Sequence, residues 1–122
     1  MSRRPTDRER ALVLKLIGAD FAEMDVLQEQ LSATTVAELE SGAILEFNPV
    51  STRPFASQRR VLGEGSLRDI DGTPIVFTLL QRDGYIWRLD MGRADSARIQ
   101  RSIDVNDIVV LGHGQGLSLE QN

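Results

Sequence analysis

Residues 79–91, LLQRDGYIWRLDM, decide the fold. Two apolar runs flank Arg82-Asp83-Gly84, the pattern of a β-hairpin. They hold the chain's single tyrosine, Tyr85, and its single tryptophan, Trp87. Two registers compete. A two-residue Asp83-Gly84 turn pairs Leu79 with Arg88 and Phe77 with Asp90, mixing apolar with charged. A three-residue loop, Arg82-Asp83-Gly84, pairs Leu79 with Trp87, Phe77 with Leu89 and Ile75 with Met91. It gathers these six large apolar groups on one face and places Gly84 at a left-handed bulge position. The second register is favoured. It makes Trp87 a core residue beneath the helices, so Trp87→Ala is expected to cost about 3–5 kcal/mol. The reverse face then carries Val76, Thr78, Leu80, Ile86, Arg88 and Asp90. Thr78, Leu80, Ile86, Arg88 and Asp90 are the candidate partner-binding residues.

The same logic runs outward along the chain. In "TVAELESGAILEF" the period is two. A three-residue Glu40-Ser41-Gly42 loop pairs Leu39 with Ala43 and Ala37 with Leu45, keeping apolar residues together. Upstream, the period is helical. "TDRE" is a capping box with Thr6 as N-cap and Glu9 at N3, and Gly18 is a natural stop, so a helix spans 7–17. A second helix spans about 22–33 on the line Met24, Leu27, Gln28, Leu31, capped by Asp20. The short link "GAD" favours an antiparallel or sharply angled helix pair.

Residues 49–57 form a loop, because two prolines exclude a central strand. "QRRVLGEGSL", "IVFTLLQ" and "YIWRLDM" are strands. A short edge segment near Arg98 to Gln100, a helical turn near Asp104 to Asp107 and a strand at Ile108 to Leu111 complete the reading. The fold class is α+β: an N-terminal helix pair packed on one face of a mostly antiparallel meander of about five strands. Residues 1–111 form one domain, and 112–122 a flexible C-terminal tail.

Composition excludes several functions. The 122 residues carry a net charge of −4 and contain no cysteine and one histidine. There is no disulfide framework, thiolate site or cysteine nucleophile, and no transition-metal site is expected. No apolar run approaches a membrane span, no signal-peptide pattern follows the N-terminus, and a cytoplasmic location is the default. Acids and bases are spread evenly, with no basic arm or stripe, so nucleic acid is not an expected partner. The chain has 13 arginines and one lysine, Lys15. Arg53, Arg59 and Arg60 read as a solvated loop and strand edge.

Weak motifs have plainer explanations. His113 in "GHGQG" lacks the following helix that a phosphate loop needs. "GEGS" at 63–66 lacks the lysine. Asp69 and Asp71 in "RDIDG" suggest a calcium loop, but Leu67 and Thr78 occupy its first and last ligand positions. The segment is a turn. In "DVND", Asp104 caps one helical turn. Nothing pairs two carboxylates for acid–base work, no cofactor is expected, and the chain reads as a non-enzyme.

Taken together, Glu9 to Leu12, Asp20-Phe21, Asp83 to Met91 and Asp95 to Ile99 resemble the opening helix and closing hairpin segments of small uncharacterised bacterial proteins of a domain-of-unknown-function type. That resemblance implies a helix pair followed by an antiparallel sheet and carries over no catalytic residue. Such small acidic proteins are similar to immunity proteins, which occlude a partner toxin. The expected function is a non-enzymatic protein-binding module, with a toxin domain or a second copy of the chain as partner. The alternatives are a small-molecule-binding or catalytic pocket between helices and sheet, and a stand-alone homodimer.

Overall fold

A computed structural model describes residues 2–111. Its elements run β1 (Ser2–Arg3), α1 (Asp7–Ile17), α2 (Met24–Ala33), β2 (Thr34–Leu39), β3 (Ile44–Pro49), β4 (Val61–Arg68), β5 (Pro74–Arg82), β6 (Tyr85–Arg93) and β7 (Val109–Leu111). The tail expected at 112–122, and His113 with it, lies outside the described residues.

The chain is α+β and the sheet is antiparallel throughout. The sheet has seven strands rather than about five, because β1 and β7 add short edges to it. It is also not a meander: the order is β1-β2-β3-β6-β5-β4-β7. Strand β6 sits between β3 and β5, so residues 50–60 must cross past the tip of the β5–β6 hairpin. Residues 98–100 are not a strand. The backbone there turns toward Asp69, whose carboxylate accepts the Gln100 N–H at 2.9 Å.

Helix α1 begins as its residues dictate. The Thr6 hydroxyl accepts from the Glu9 N–H and the Glu9 carboxylate accepts from the Thr6 N–H. Helix α2 differs from expectation. It starts at Met24, and Asp20 does not cap it. The carboxylate of Glu23 instead accepts the Ala56 and Ser57 N–H groups, tying the helix start to the crossing loop. Its buried face is Val26, Leu27, Gln30 and Leu31, not the line through Gln28. α1 lies over β4 and β5, and α2 over β3 and β6. Gly63 permits the first contact, since a side chain there would collide with the Leu16 carbonyl.

Both hairpin registers depart from expectation. In β2–β3 the chain reverses through residues 40–43, with Glu40, Ser41 and Gly42 at positive φ. Leu39 pairs with Ile44, Glu38 with Leu45 and Val36 with Phe47. The apolar face is therefore carried by Val36, Leu45 and Phe47, while Leu39 turns outward and is 39% exposed. Glu38 is tolerated on the inner face because it lies near the edge, where Arg3 binds it at 2.8 Å.

In β5–β6 the turn is Asp83-Gly84, both at positive φ, and Arg82 pairs with Tyr85. Gly84 must be glycine on two counts: its φ of 90°, and Pro54 and Phe55 pressed against its Cα. The two-residue turn alone would mix the faces, as the sequence argument holds. One extra residue repairs it. The register shifts between Leu80 and Gln81, so Gln81 pairs with Ile86 and Leu80 with Arg88, leaving Trp87 as the bulged residue. Leu79 then meets Leu89, and Phe77 meets Met91. Ile75, Phe77, Leu79, Ile86 and Leu89 are all buried against the helices. Trp87 is not among them.

Two glutamines hold this irregular tip. Gln30 is wholly buried. Its Nε2 donates to the Arg53 and Gly84 carbonyls at 2.9 and 3.0 Å, and its Oε1 accepts from the Ile86 N–H at 2.9 Å. On the other side, Gln81 Nε2 donates to the Ser57 and Arg59 carbonyls. Replacing Gln30 by leucine removes the partner of the Ile86 N–H and of the Arg53 carbonyl, each costing roughly 1–3 kcal/mol, while the Gly84 carbonyl keeps the Phe55 N–H at 2.7 Å. Chemical denaturation of Gln30→Leu should show a loss of about 2 kcal/mol or more; a loss below about 1 kcal/mol would mean that water replaces the amide.

Candidate interaction face

Pairing assigns each strand residue to a side. The inner side is covered by both helices, by Phe55 of the crossing loop and by Ile99, Ile103, Val105 and Ile108 of the return segment. The outer side carries Ile44 and Glu46 of β3, Arg88 and Asp90 of β6, Thr78 and Leu80 of β5, and Val61 and Glu64 of β4. Among the described residues no helix packs on this side.

Of the five residues expected to form the surface, four meet here. Thr78 pairs with Asp90 and Leu80 with Arg88, so these side chains form one contiguous patch on β5 and β6. Thr78, Arg88 and Asp90 are half-buried and Leu80 is 9% exposed. Arg88 and Asp90 form a bidentate pair, 3.0 and 3.1 Å, as their same-face spacing implies. Ile86 does not join them. It is 1% exposed on the inner side, because the bulge reverses the alternation between Ile86 and Arg88.

Trp87 takes the outward place instead. Its ring is half-buried, with the Arg82 guanidinium 4.4 Å from the centroid and that of Arg88 at 5.2 Å. Stacking of this kind stabilises an exposed ring and orders the arginines. The indole Nε1 is covered yet has no acceptor; with the Thr52 hydroxyl it is one of two buried side-chain groups left unbonded among the described residues. Sequence reasoning placed Trp87 in the core by rejecting the two-residue turn without adding a bulge. The Asp-Gly dipeptide was the signal that favoured that turn.

A second region lies at the other end of the sheet. Leu12, Leu45, Met91 and Ile103 floor a cleft of about 530 Å³ rimmed by Arg8, Glu9 and Glu38. Its acids are already engaged: Arg3 bridges Glu9 and Glu38 at 2.7 and 2.8 Å. The Arg3 bond holds the Glu9 carboxyl below its ordinary range.

Asp69 and Asp71 also find a use that is not a metal loop. With Asp95 they surround the buried Arg93 guanidinium at 3.0, 2.8 and 2.8 Å, so an arginine stands where a bound cation would. Among the described residues no acidic or histidine cluster is arranged to hold a metal ion. The Arg93 bond, helped by the Ala97 N–H, lowers the Asp95 carboxyl to about 2. The Thr73 N–H and then Arg93 lower that of Asp71. Burial pushes Asp69 up, but the Gln100 and Ile70 N–H groups and Arg93 outweigh it, and the net shift is down.

The family described as Domain of unknown function (DUF6984) matches residues 2–103, and the chain belongs to that family. No curated protein and no solved structure matches the chain. Among the described residues no helix is long and apolar enough to cross a membrane.

Two measurements check this geometry. Ile86→Ala should cost about 2–5 kcal/mol as a core truncation, and Trp87→Ala clearly less; the reverse ordering in denaturant melts would restore the unbulged register. The three carboxylates are depressed in the folded chain. Their stabilisation is complete above the unfolded value near 4 and is lost as pH falls toward about 2. Thermal stability should therefore drop across that window, and Arg93→Gln should flatten the dependence.

Proposed function

We propose that this protein is a non-catalytic binding module whose outer sheet face covers a partner protein. The observation that carries the reading is the uncovered face itself. Leu80, Thr78, Trp87 and Ile44 lie on a seven-stranded sheet that, among the described residues, has helices on one side only. An antiparallel sheet can present one face to water, but such a face is normally polar. This one is half apolar, with a tryptophan at one end and an Arg88–Asp90 pair at its middle, the mixture of aromatic, aliphatic and arginine side chains that recurs in protein interfaces. The buried Arg93 cluster and the Gln30 bracket make it a rigid surface, which lowers the ordering cost of association.

Occlusion of a partner such as a toxin domain is the form that suits a broad sheet face braced from behind. A small ligand held in the cleft over Leu12, Leu45, Met91 and Ile103 is the second reading, favoured by that apolar floor.

The test is co-expression with the products of adjacent genes, followed by pull-down. A neighbour-encoded protein should be retained by the native chain and lost with Thr78→Arg, which places a bulky charge at the middle of the face without altering the melting temperature. Retention unaffected by Thr78→Arg, or no retained protein at all, would overturn the proposal.

A further inference from the structure

The outer face is not uniform in charge. The chain is acidic overall, yet many of its acids are gathered around a few arginines. Asp69, Asp71 and Asp95 face Arg93; Glu9 and Glu38 face Arg3; Asp25 and Glu29 face Arg53; Asp107 faces Arg101; Asp90 faces Arg88. What this pairing leaves over at the hairpin tip is basic. The Gln81 N–H donates to the Arg60 carbonyl at 2.9 Å and its side chain to that of Arg59, so both arginines lie against the residue preceding Arg82. The side chains of Arg59, Arg60 and Arg82 are exposed and form no ion pair among the described residues, and Asp83 is the one acid in the turn beside them. Arg82 is committed only to the face of Trp87.

From this we infer that the tip of the β5–β6 hairpin receives an acidic segment of the partner protein. The inference rests on the binding-module reading and names its partner's chemistry. Carboxylates would accept from the free guanidiniums, whose planar forks bind them bidentately. Drawing Arg82 toward a carboxylate takes it off the indole ring, 4.4 Å from which it now stands, and so changes the environment of Trp87. A nucleic acid is disfavoured because Glu46 and Asp90 flank Arg88 on the same face. A phosphate chain needs a continuous basic stripe, whereas spaced carboxylates fit an interrupted one.

The probe is a fluorescein-labelled oligo-glutamate peptide, titrated against the full chain at low ionic strength. Binding should be seen by anisotropy, should change the emission of the single tryptophan, and should fade near 0.5 M salt as screening shortens to a few ångströms. Arg59→Gln, Arg60→Gln and Arg82→Gln combined should weaken it by about tenfold or more. Arg98→Gln, an exposed arginine outside the tip, should leave it unchanged.

No binding, or equal weakening by Arg98→Gln, overturns the inference. Tighter binding of a single-stranded oligonucleotide overturns it in favour of nucleic acid. If peptide binding fails while Thr78→Arg still releases the co-expressed partner, the charge inference falls and the face reading stands. If the triple variant weakens the peptide but no partner depends on Thr78, the acidic site stands without the broad face.

Discussion

One buried amide organises the molecule. Gln30 binds two carbonyls and one N–H from segments 23 to 56 residues away in sequence. It lies within the hydrophobic core, where an unpaired amide would be strongly unfavourable. Each of its three bonds meets a backbone group that the sheet cannot. The Gly84 carbonyl belongs to the turn, the Arg53 carbonyl to a loop, and the Ile86 N–H to a strand just before its bulge. The amide therefore does what a ladder hydrogen bond would do where the ladder is interrupted. It requires that α2, the crossing loop and the hairpin tip be in place together, which couples their formation.

The bulge at Trp87 follows from a conflict between two local preferences. Asp83-Gly84 favours a tight two-residue turn with both residues left-handed. The apolar residues of β5 and β6 favour a register one step away. A single unpaired residue satisfies both, at the cost of a disrupted ladder that Gln30 and Gln81 repair. The consequence for function is direct. Trp87 is lifted out of the core and set beside Arg82 and Arg88, and Ile86 takes its place against the helices. An aromatic on the outer face thus comes from a backbone irregularity that reverses the alternation of faces between Ile86 and Arg88.

Much of this was legible in the residues. The capping box at Thr6 and Glu9, the stop at Gly18, the strand parity of Thr78, Leu80, Arg88 and Asp90, and the cap at Asp104 all arise from interactions within a few positions. Local chemistry settles them. What sequence reading missed is non-local. A bulge has no fixed residue signature, so its register shift went unseen. Gln30 has no signal in its neighbours because its partners lie 23 to 56 residues away along the chain. Asp20 seemed the better cap for α2 because Asp is a strong cap residue, but Glu23 is drawn to the Ala56 and Ser57 N–H groups of a loop that only the β3-to-β4 crossover brings near. The insertion of β6 between β3 and β5 was hidden for the same reason: strand order is a property of packing, not of spacing.

Charge is the property where composition misleads most. A net charge of −4 suggests an acidic surface seeking a basic partner. Structure divides that charge unequally. Arg93 gathers three carboxylates and Arg3 two more, so the formal excess of acid is concentrated in those clusters, at turns and strand ends. Such clusters stay net negative, but their field is screened beyond a Debye length of about 10 Å. The field that an approaching partner meets is set by the groups nearest to it. At the hairpin tip those are Arg59, Arg60 and Arg82, opposed by Asp83 alone. The sign of net charge and the sign of the recognising surface can therefore be opposite in one small domain, and it is the second that governs encounter.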